Sequence, residues 1–303
     1  MLRTTLALGV VLLAAGCGGG KAAAPRPSLF GYDRSAPLAF RDRGVVNHGY
    51  PIEVRDVSYS SPRGGRVFAY LVVPPGKGPF PAVLYLHGSG EDRTGLVVPA
   101  AWLAARGAVG LAIDSAFVKA TGPEPTDPVK RLERERDLTA QTVVDLRRGV
   151  DVLASLPRVD SKRIGFVGYS AGAKIGAILA GVEPRIHAFD LMSGGSAPVD
   201  AFVAAAPQSL RAPVRSALGA VDPLRFVRRA RPGALFFQDG LEDTVVPHAQ
   251  LAALAAAGST PKRIRWYRAD HSLDAQAFRD QLAWLSRELG IHGPPVPGSR
   301  TGP

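Results

Sequence analysis

The sequence predicts an α/β fold in which a mostly parallel sheet is covered by helices on both faces. Short apolar segments of strand character alternate with longer segments of helical periodicity through most of the 303 residues. The composition, 46% hydrophobic and 21% charged, is typical of a folded globular chain. Together, the alternation and the composition indicate one α/β domain, which we place at residues 51–290.

The first residues carry a pattern typical of export. A short positive start (Met1–Arg3) precedes the apolar run Leu6–Ala15, which is too short to span a bilayer as a helix. We therefore expect a signal peptide at residues 1–16. The segment Leu13–Cys17 also resembles a bacterial lipobox, which implies an exported lipoprotein of the bacterial cell envelope, anchored to the membrane through lipidated Cys17. The alternative is a plain signal peptide with an incidental cysteine.

The remaining segments outside the domain lack periodicity. We expect residues 17–50 to form a tether and an irregular lead-in, and residues 291–303 to form a disordered tail. Cys17 is the only cysteine, so an intrachain disulfide is impossible.

Within the domain, a strand hairpin leads and strands then alternate with helices. Asp127 before Pro128 predicts the N-cap of a long helix. Residues 193–232 do not fit a single connection, and we expect a small helical insertion there. The predicted strands are 53–59, 67–73, 82–86, 108–113, 163–167, 186–192, 234–237 and 263–267, and the predicted helices are 96–106, 128–155, 171–180, 248–256 and 275–289.

The net charge of +11 discriminates little between functions. The arginines are scattered, apart from a small cluster at Arg225, Arg228, Arg229 and Arg231. Nucleic-acid binding favours basic residues interleaved with aromatics along one face, whereas these arginines are scattered widely, so no nucleic-acid partner is predicted. Anionic surfaces and compositional bias both remain as explanations of the charge. No metal-binding or phosphate-loop motif occurs, so the sequence predicts neither a metal nor a cofactor.

The motif Gly168-Tyr169-Ser170-Ala171-Gly172 lies between a predicted strand and a predicted helix. A sharp turn of this kind exposes the serine hydroxyl above the sheet and next to a helix N-terminus. We therefore predict Ser170 as a nucleophile and the backbone N–H of Ala171 as an oxyanion donor. A second turn, His87-Gly88-Ser89-Gly90, follows an earlier strand. Its Ser89 N–H, or alternatively that of Gly90, is the predicted second donor, and His87 is expected to be structural.

Two later loops supply an acid and a base. Asp243 follows the 234–237 strand, and His271 follows the next strand. We predict His271 as the general base and Asp243 as the residue that orients it, with Asp239 and Glu242 as competing acids. The chain order Ser, Asp, His, with each residue after a successive strand, is typical of the α/β-hydrolase arrangement.

These motifs resemble the dienelactone-hydrolase-like and acetyl-xylan-esterase-like branch of the α/β-hydrolases over about 53–289. Dienelactone hydrolases carry a cysteine nucleophile, where this chain has Ser170. The resemblance implies a serine hydrolase that cleaves small-molecule carboxylic esters of small or medium acyl groups through an acyl-enzyme. Two alternatives remain open: a prolyl-oligopeptidase-like peptidase on short peptides, and a cell-surface binding protein on an inactive hydrolase scaffold.

Overall fold

The computed structural model describes residues 28–46, 52–230 and 232–293. In this part of the chain nine strands form one sheet. They are β1 (Arg41–Val45), β2 (Glu53–Ser60), β3 (Arg66–Val73), β4 (Phe80–Leu86), β5 (Val109–Ile113), β6 (Val159–Tyr169), β7 (Ile186–Met192), β8 (Ala234–Gly240) and β9 (Lys262–Tyr267).

The strands lie in the order β1-β2-β3-β5-β4-β6-β7-β8-β9. In sheet order, the strands from β5 to β9 pair in parallel, whereas β1, β2 and β3 form an antiparallel edge that contains the predicted hairpin, β2 and β3. The prediction of a mostly parallel sheet is therefore confirmed. Because parallel strands all end at one edge, the loops after β4, β6, β8 and β9 converge there.

Helices cover both faces of the sheet, as predicted. The side of α3, α4, α7 and α8 holds the larger apolar core, and α1 and α9 pack on the other side. The helices are α1 (Val97–Ala104), α2 (Ala116–Lys119), α3 (Pro128–Ser155), α4 (Ala171–Ala180), α5 (Val199–Ala205), α6 (Arg211–Ala220), α7 (Pro223–Val227), α8 (His248–Ala257) and α9 (Ala275–Glu288).

Helix α3 begins where the sequence predicts. The Asp127 carboxylate accepts hydrogen bonds from the backbone N–H groups of Val129 and Lys130, which have no partner within the helix. Pro128 occupies the first helical position, where its missing N–H costs nothing. The insertion at 193–232 is helical as expected, since it contains α5, a 3₁₀ turn, α6 and α7.

The lead-in differs from its prediction as an irregular segment. Its described part contains β1, which pairs with β2, and Phe30 is buried in the core. The Tyr32 hydroxyl donates to the Asp151 carboxylate at 2.8 Å, and Arg147 donates to the carbonyl oxygen of Phe30. Strand β1 lies at the exposed edge and consists mainly of charged residues, so it has no apolar periodicity that would indicate a strand.

The predicted tail also begins too early. Ile291 is buried, and its N–H donates to the carbonyl oxygen of Ser286, so the packed chain extends past residue 290. The signal peptide, Cys17 and residues 294–303 lie outside the described residues. Within the described ranges, the structure contains no helix with both the length and the apolar character needed to cross a membrane.

Candidate active site

Ser170 occupies the turn between β6 and α4. Its φ is 55°, in a region that non-glycine residues seldom adopt, and its N–H donates to the carbonyl oxygen of Met192 at 2.8 Å. Backbone strain of this kind persists only where the surrounding structure enforces it, and it is concentrated at functional sites. The turn places the Ser170 hydroxyl at the edge where the parallel strands end.

Two glycines make this turn possible. A Cβ atom on Gly172 would lie 2.1 Å from the carbonyl oxygen of Leu86, and a Cβ atom on Gly168 would lie 2.5 Å from the carbonyl oxygen of Gly172. The first turn of α4 therefore packs directly on the backbone at the end of β4. No larger residue fits at either position, which explains the glycines of the motif.

His271 lies in the loop between β9 and α9 and faces Ser170. Its Nε2 atom is 2.9 Å from Ser170 Oγ, and its Nδ1 atom is 2.8 Å from Asp243 Oδ2. The structure thus brings the three sequence-predicted residues together in one hydrogen-bonded chain. In this arrangement Nδ1 donates to the carboxylate and Nε2 is free to accept the serine proton.

The second oxygen of Asp243 fixes the carboxylate in place. Oδ1 accepts hydrogen bonds from the N–H groups of Val245 and Val246 at 2.8 and 2.9 Å. Burial opposes ionisation of this carboxyl, but the hydrogen bonds from His271 and from the two backbone groups outweigh it and lower the pKa of Asp243. Asp243 is therefore ionised and correctly oriented to hold the imidazole.

The two competing acids lie elsewhere. Glu242 is exposed and forms an ion pair with Arg268 at 3.9 Å. Asp239 is buried in β8, and neither of its oxygens has a hydrogen-bond partner among the described residues. Burial, reinforced by the nearby charge of Asp243, raises the pKa of Asp239 to about 7. Neither residue contacts His271, so Asp243 alone has the required geometry.

Sequence reasoning missed two residues that hold the histidine loop. The hydroxyls of Ser193 and Tyr169 both donate to the carbonyl oxygen of His271, at 2.8 and 3.2 Å. The Tyr169 and His271 rings also pack against each other, with centroids 5.3 Å apart. Ser193 adopts a φ of 51° directly after β7, so its position as a polar residue at a strand end was the available signal.

The predicted oxyanion donors line the same cleft as Ser170. Ala171 is the first residue of α4, so its N–H has no partner within the helix. On the turn after β4, the Gly88 N–H is already donated to Glu91 Oε2, whereas Ser89 and Gly90 both face the cleft. Ser89 and Gly90 both remain candidates for the second donor.

His87 has a structural role, as the sequence analysis expects. It is buried, and its Nε2 atom accepts a hydrogen bond from the Ser115 N–H at 3.1 Å. Its Nδ1 atom is 2.7 Å from the carbonyl oxygen of Gly88 and donates to it. Both ring nitrogens are therefore occupied, and the ring braces the oxyanion turn.

A cleft of about 1240 Å³ opens above Ser170. Two of its walls come from residues 115–118, which follow β5, and from residues 195–223 of the helical insertion. The first half of α3 forms a further wall through Leu132, Glu135, Arg136 and Thr139. The apolar lining includes Phe117, Ile175, Ile178, Phe202, Leu218 and Val221.

No metal site accompanies the cleft. Across residues 28–46, 52–230 and 232–293, no three His, Cys, Asp or Glu side chains lie close enough together to hold a metal ion.

A buried carboxyl lies on the α9 side of the sheet. Asp190, on β7, has no hydrogen-bond partner for either oxygen among the described residues. Burial raises the pKa of Asp190 to about 8, the charges of Asp239 and Asp280 act in the same direction, and the Gln281 amide opposes the shift only in part. The folded chain therefore keeps a proton that the unfolded chain releases at lower pH. The contribution of protonated Asp190 to the free energy of unfolding is therefore lost as pH rises from about 4 towards 8.

We accordingly expect Asp190→Asn to stabilise the fold at alkaline pH. The gain in free energy of unfolding is expected to be about 1–4 kcal/mol near pH 8 and to vanish near pH 4, because both side chains are then neutral. Urea denaturation across this range measures it, with the exposed Asp200→Asn as the matched control. An equal effect of Asp190→Asn at both ends of the range would contradict the assignment of a protonated carboxyl.

Comparison with known protein families places the chain among the hydrolases. The family model described as acetyl xylan esterase (AXE1) matches residues 46–192, and the one described as BAAT / acyl-CoA thioester hydrolase C terminal matches residues 146–272. Two solved acetyl xylan esterases, from Paenibacillus sp. R4 and Thermoanaerobacterium sp. JW/SL YS485, superpose with TM-scores of 0.69 and 0.67. They share 20% and 21% identity with the chain, cover 84% of it, and are themselves covered to 90% and 89%.

Curated relatives match over part of their length. NocK of Nocardia uniformis subsp. tsuyamanensis, whose name includes the word esterase, is 31% identical over 246 residues. Esterase FrsA of Citrobacter koseri is 29% identical over 160 residues. The match to NocK covers 74% of the chain and 64% of NocK. The match to FrsA covers 50% of the chain and 36% of FrsA. The chain therefore has the α/β-hydrolase fold, and the proteins that it resembles include esterases.

Proposed function

We propose that the chain is a serine hydrolase that cleaves carboxylic esters of small or medium acyl groups through an acyl-enzyme. One observation carries the proposal, namely the continuous hydrogen-bonded chain from Ser170 Oγ through His271 to Asp243. The esterase relatives support the same reaction. A missing triad residue would favour the alternative of a binding protein on an inactive hydrolase scaffold, but Ser170, His271 and Asp243 are all present.

In the acylation step, His271 Nε2 takes the Ser170 proton while Ser170 Oγ forms a bond to the ester carbonyl carbon. The negative charge that develops on the carbonyl oxygen is stabilised by the N–H of Ala171, by the Ser89 or Gly90 N–H, and by the N-terminus of α4. The tetrahedral intermediate then collapses. The bond to the alcohol oxygen breaks, and His271 gives that oxygen its proton.

In deacylation, a water molecule takes the place of Ser170 as the attacking nucleophile. His271 removes a proton from a water molecule, the hydroxide oxygen adds to the acyl carbon, and the bond to Ser170 Oγ breaks. The proton on His271 returns to Ser170 Oγ. Throughout both steps the ionised Asp243 carboxylate stabilises the positive charge on the imidazolium, and no external cofactor enters the balance.

Replacing the nucleophile and its supporting acid tests this mechanism. Ser170→Ala is expected to lower kcat by about a millionfold, and Asp243→Asn by about ten-thousandfold, because the asparagine favours the wrong histidine tautomer. Hydrolysis of p-nitrophenyl butyrate measures both effects, and circular dichroism checks the fold. Glu242→Gln is the matched control, since Glu242 is an exposed acid beside Asp243 that does not contact His271. Undiminished activity in Ser170→Ala would overturn the proposal.

The cleft supports acyl groups larger than acetyl. Its volume and its apolar lining offer burial to several methylene groups, each worth about 0.8 kcal/mol when fully removed from water. Phe202 on α5 and Phe117 on α2 are partly exposed at the cleft. We therefore assign the acyl chain to this apolar wall.

A series of p-nitrophenyl esters from acetate to octanoate tests this assignment. We expect kcat/KM to rise from acetate to hexanoate, and Phe202→Ala to weaken that preference while leaving acetate hydrolysis nearly unchanged. Val98→Ala, on α1 and outside the cleft, is the matched control. A steady fall in kcat/KM from acetate onwards would refute the acyl assignment and restrict the substrate to acetyl esters.

We also propose that the protein is exported and anchored through lipidated Cys17. The support is the sequence pattern of residues 1–17 alone. Expression of the full chain in a bacterium should place it in the membrane fraction, with a diacylated Cys17 at the N-terminus by mass spectrometry. Full retention of Met1 through Gly16 in the mature protein would contradict the proposal.

A further inference from the structure

An arginine-rich surface lies on the helical insertion, outside the catalytic machinery. Arg215, Arg225, Arg228 and Arg229 line a groove of about 490 Å³ on α6 and α7. We call these four residues the arginine surface. All four are exposed to solvent.

The positive charge of this surface is poorly neutralised. Arg215 pairs with Asp200, whereas Arg228 and Arg229 form no ion pair with any described residue. Among the described residues, Arg225 donates only to the carbonyl oxygen of Gly219, and it lies over the Phe226 ring, 5.6 Å from its centroid. The groove's other acid, Asp222, caps α7 by accepting from the Leu224 N–H.

Nearby acids are already paired with other arginines. Asp151 contacts Arg34, Arg148 and Arg185, and Glu183 contacts Arg147 and Arg185. These carboxylates are therefore not available to the arginine surface, whose uncompensated cations face solvent. A cluster of exposed arginines without partners attracts anionic surfaces.

The described chain begins beside this surface. The Phe30 ring packs edge-on against Phe226, with centroids 5.2 Å apart, and Phe226 lies one residue after Arg225 and two residues before Arg228. The ten residues from Gly18 to Pro27 lead from Cys17 to this point, and a fully extended segment of that length spans at most about 35 Å. They include Lys21 and Arg26 and no acidic residue.

We propose that the arginine surface docks on a membrane rich in anionic lipid headgroups. An anchor at Cys17 would hold the start of the folded domain within a short tether of the bilayer, and the arginine surface lies at that start. Arginine guanidinium groups donate two parallel hydrogen bonds to a phosphate, which suits them to phospholipid headgroups. The proposal goes beyond ester hydrolysis and does not depend on it.

Vesicle binding tests the proposal without the lipid anchor. All described contacts lie within residues 28–293, so the chain from Gly18 onwards retains them. We expect this chain to bind vesicles of phosphatidylglycerol and phosphatidylcholine in equal parts, and not vesicles of phosphatidylcholine alone. Binding should weaken as chloride concentration rises, because salt screens exposed charges.

Charge-matched variants locate the binding surface. The combined substitution Arg225→Gln, Arg228→Gln and Arg229→Gln should weaken binding to the anionic vesicles by more than about tenfold. The control combination Arg41→Gln, Arg263→Gln and Arg287→Gln removes the same charge from other exposed positions and should change binding by less than about threefold. Thermal unfolding shows that each variant is folded, whether or not the chain is an esterase.

Three outcomes would overturn the proposal. The first is no binding of the wild-type chain to the anionic vesicles. The second is an equal loss of binding in the two combinations, which would indicate net charge rather than this surface. The third is displacement by inorganic phosphate beyond that caused by chloride at equal ionic strength, which would indicate a site for a single free phosphate.

Discussion

The contact between the first turn of α4 and the end of β4 is the constraint on which the site depends. Gly172 allows the helix to approach the carbonyl oxygen of Leu86, and this approach holds Ser170 in its strained conformation. The same contact places the N-terminus of α4 beside the turn that carries Ser89. The packing of α4 on the end of β4 therefore positions both the Ser170 hydroxyl and the N-terminal end of the α4 dipole.

The histidine is held from both sides by elements of the same sheet edge. Asp243 fixes the ring, while Ser193 and Tyr169 bind the carbonyl oxygen of His271. Because Tyr169 ends β6 and Ser193 follows β7, the strand that leads into the nucleophile and the strand next to it also support the base. The geometry is set by strand ends, which are rigid, more than by the loops.

The sequence predicted most of the fold because short apolar strand segments alternate with longer helical segments along the chain. The N-cap at Asp127 and the turn at Ser170 depend on local residue chemistry, and both were identified. Strand β1 was missed because it consists mainly of charged residues at the sheet edge. Ser193 was missed because its contact with His271 joins residues 78 positions apart, and its place as a polar residue after a strand does not by itself identify the partner. The choice among Asp239, Glu242 and Asp243 likewise needed the structure.

The central claim is that Ser170 is an activated nucleophile, and covalent labelling tests it most directly. The chain from Gly18 onwards would be treated with a fluorophosphonate, and the adduct would be located by peptide mapping. We expect one adduct on Ser170 that is lost in His271→Ala, while Glu242→Gln labels normally. A folded wild-type chain that remains unlabelled, or an adduct on another residue, would contradict it.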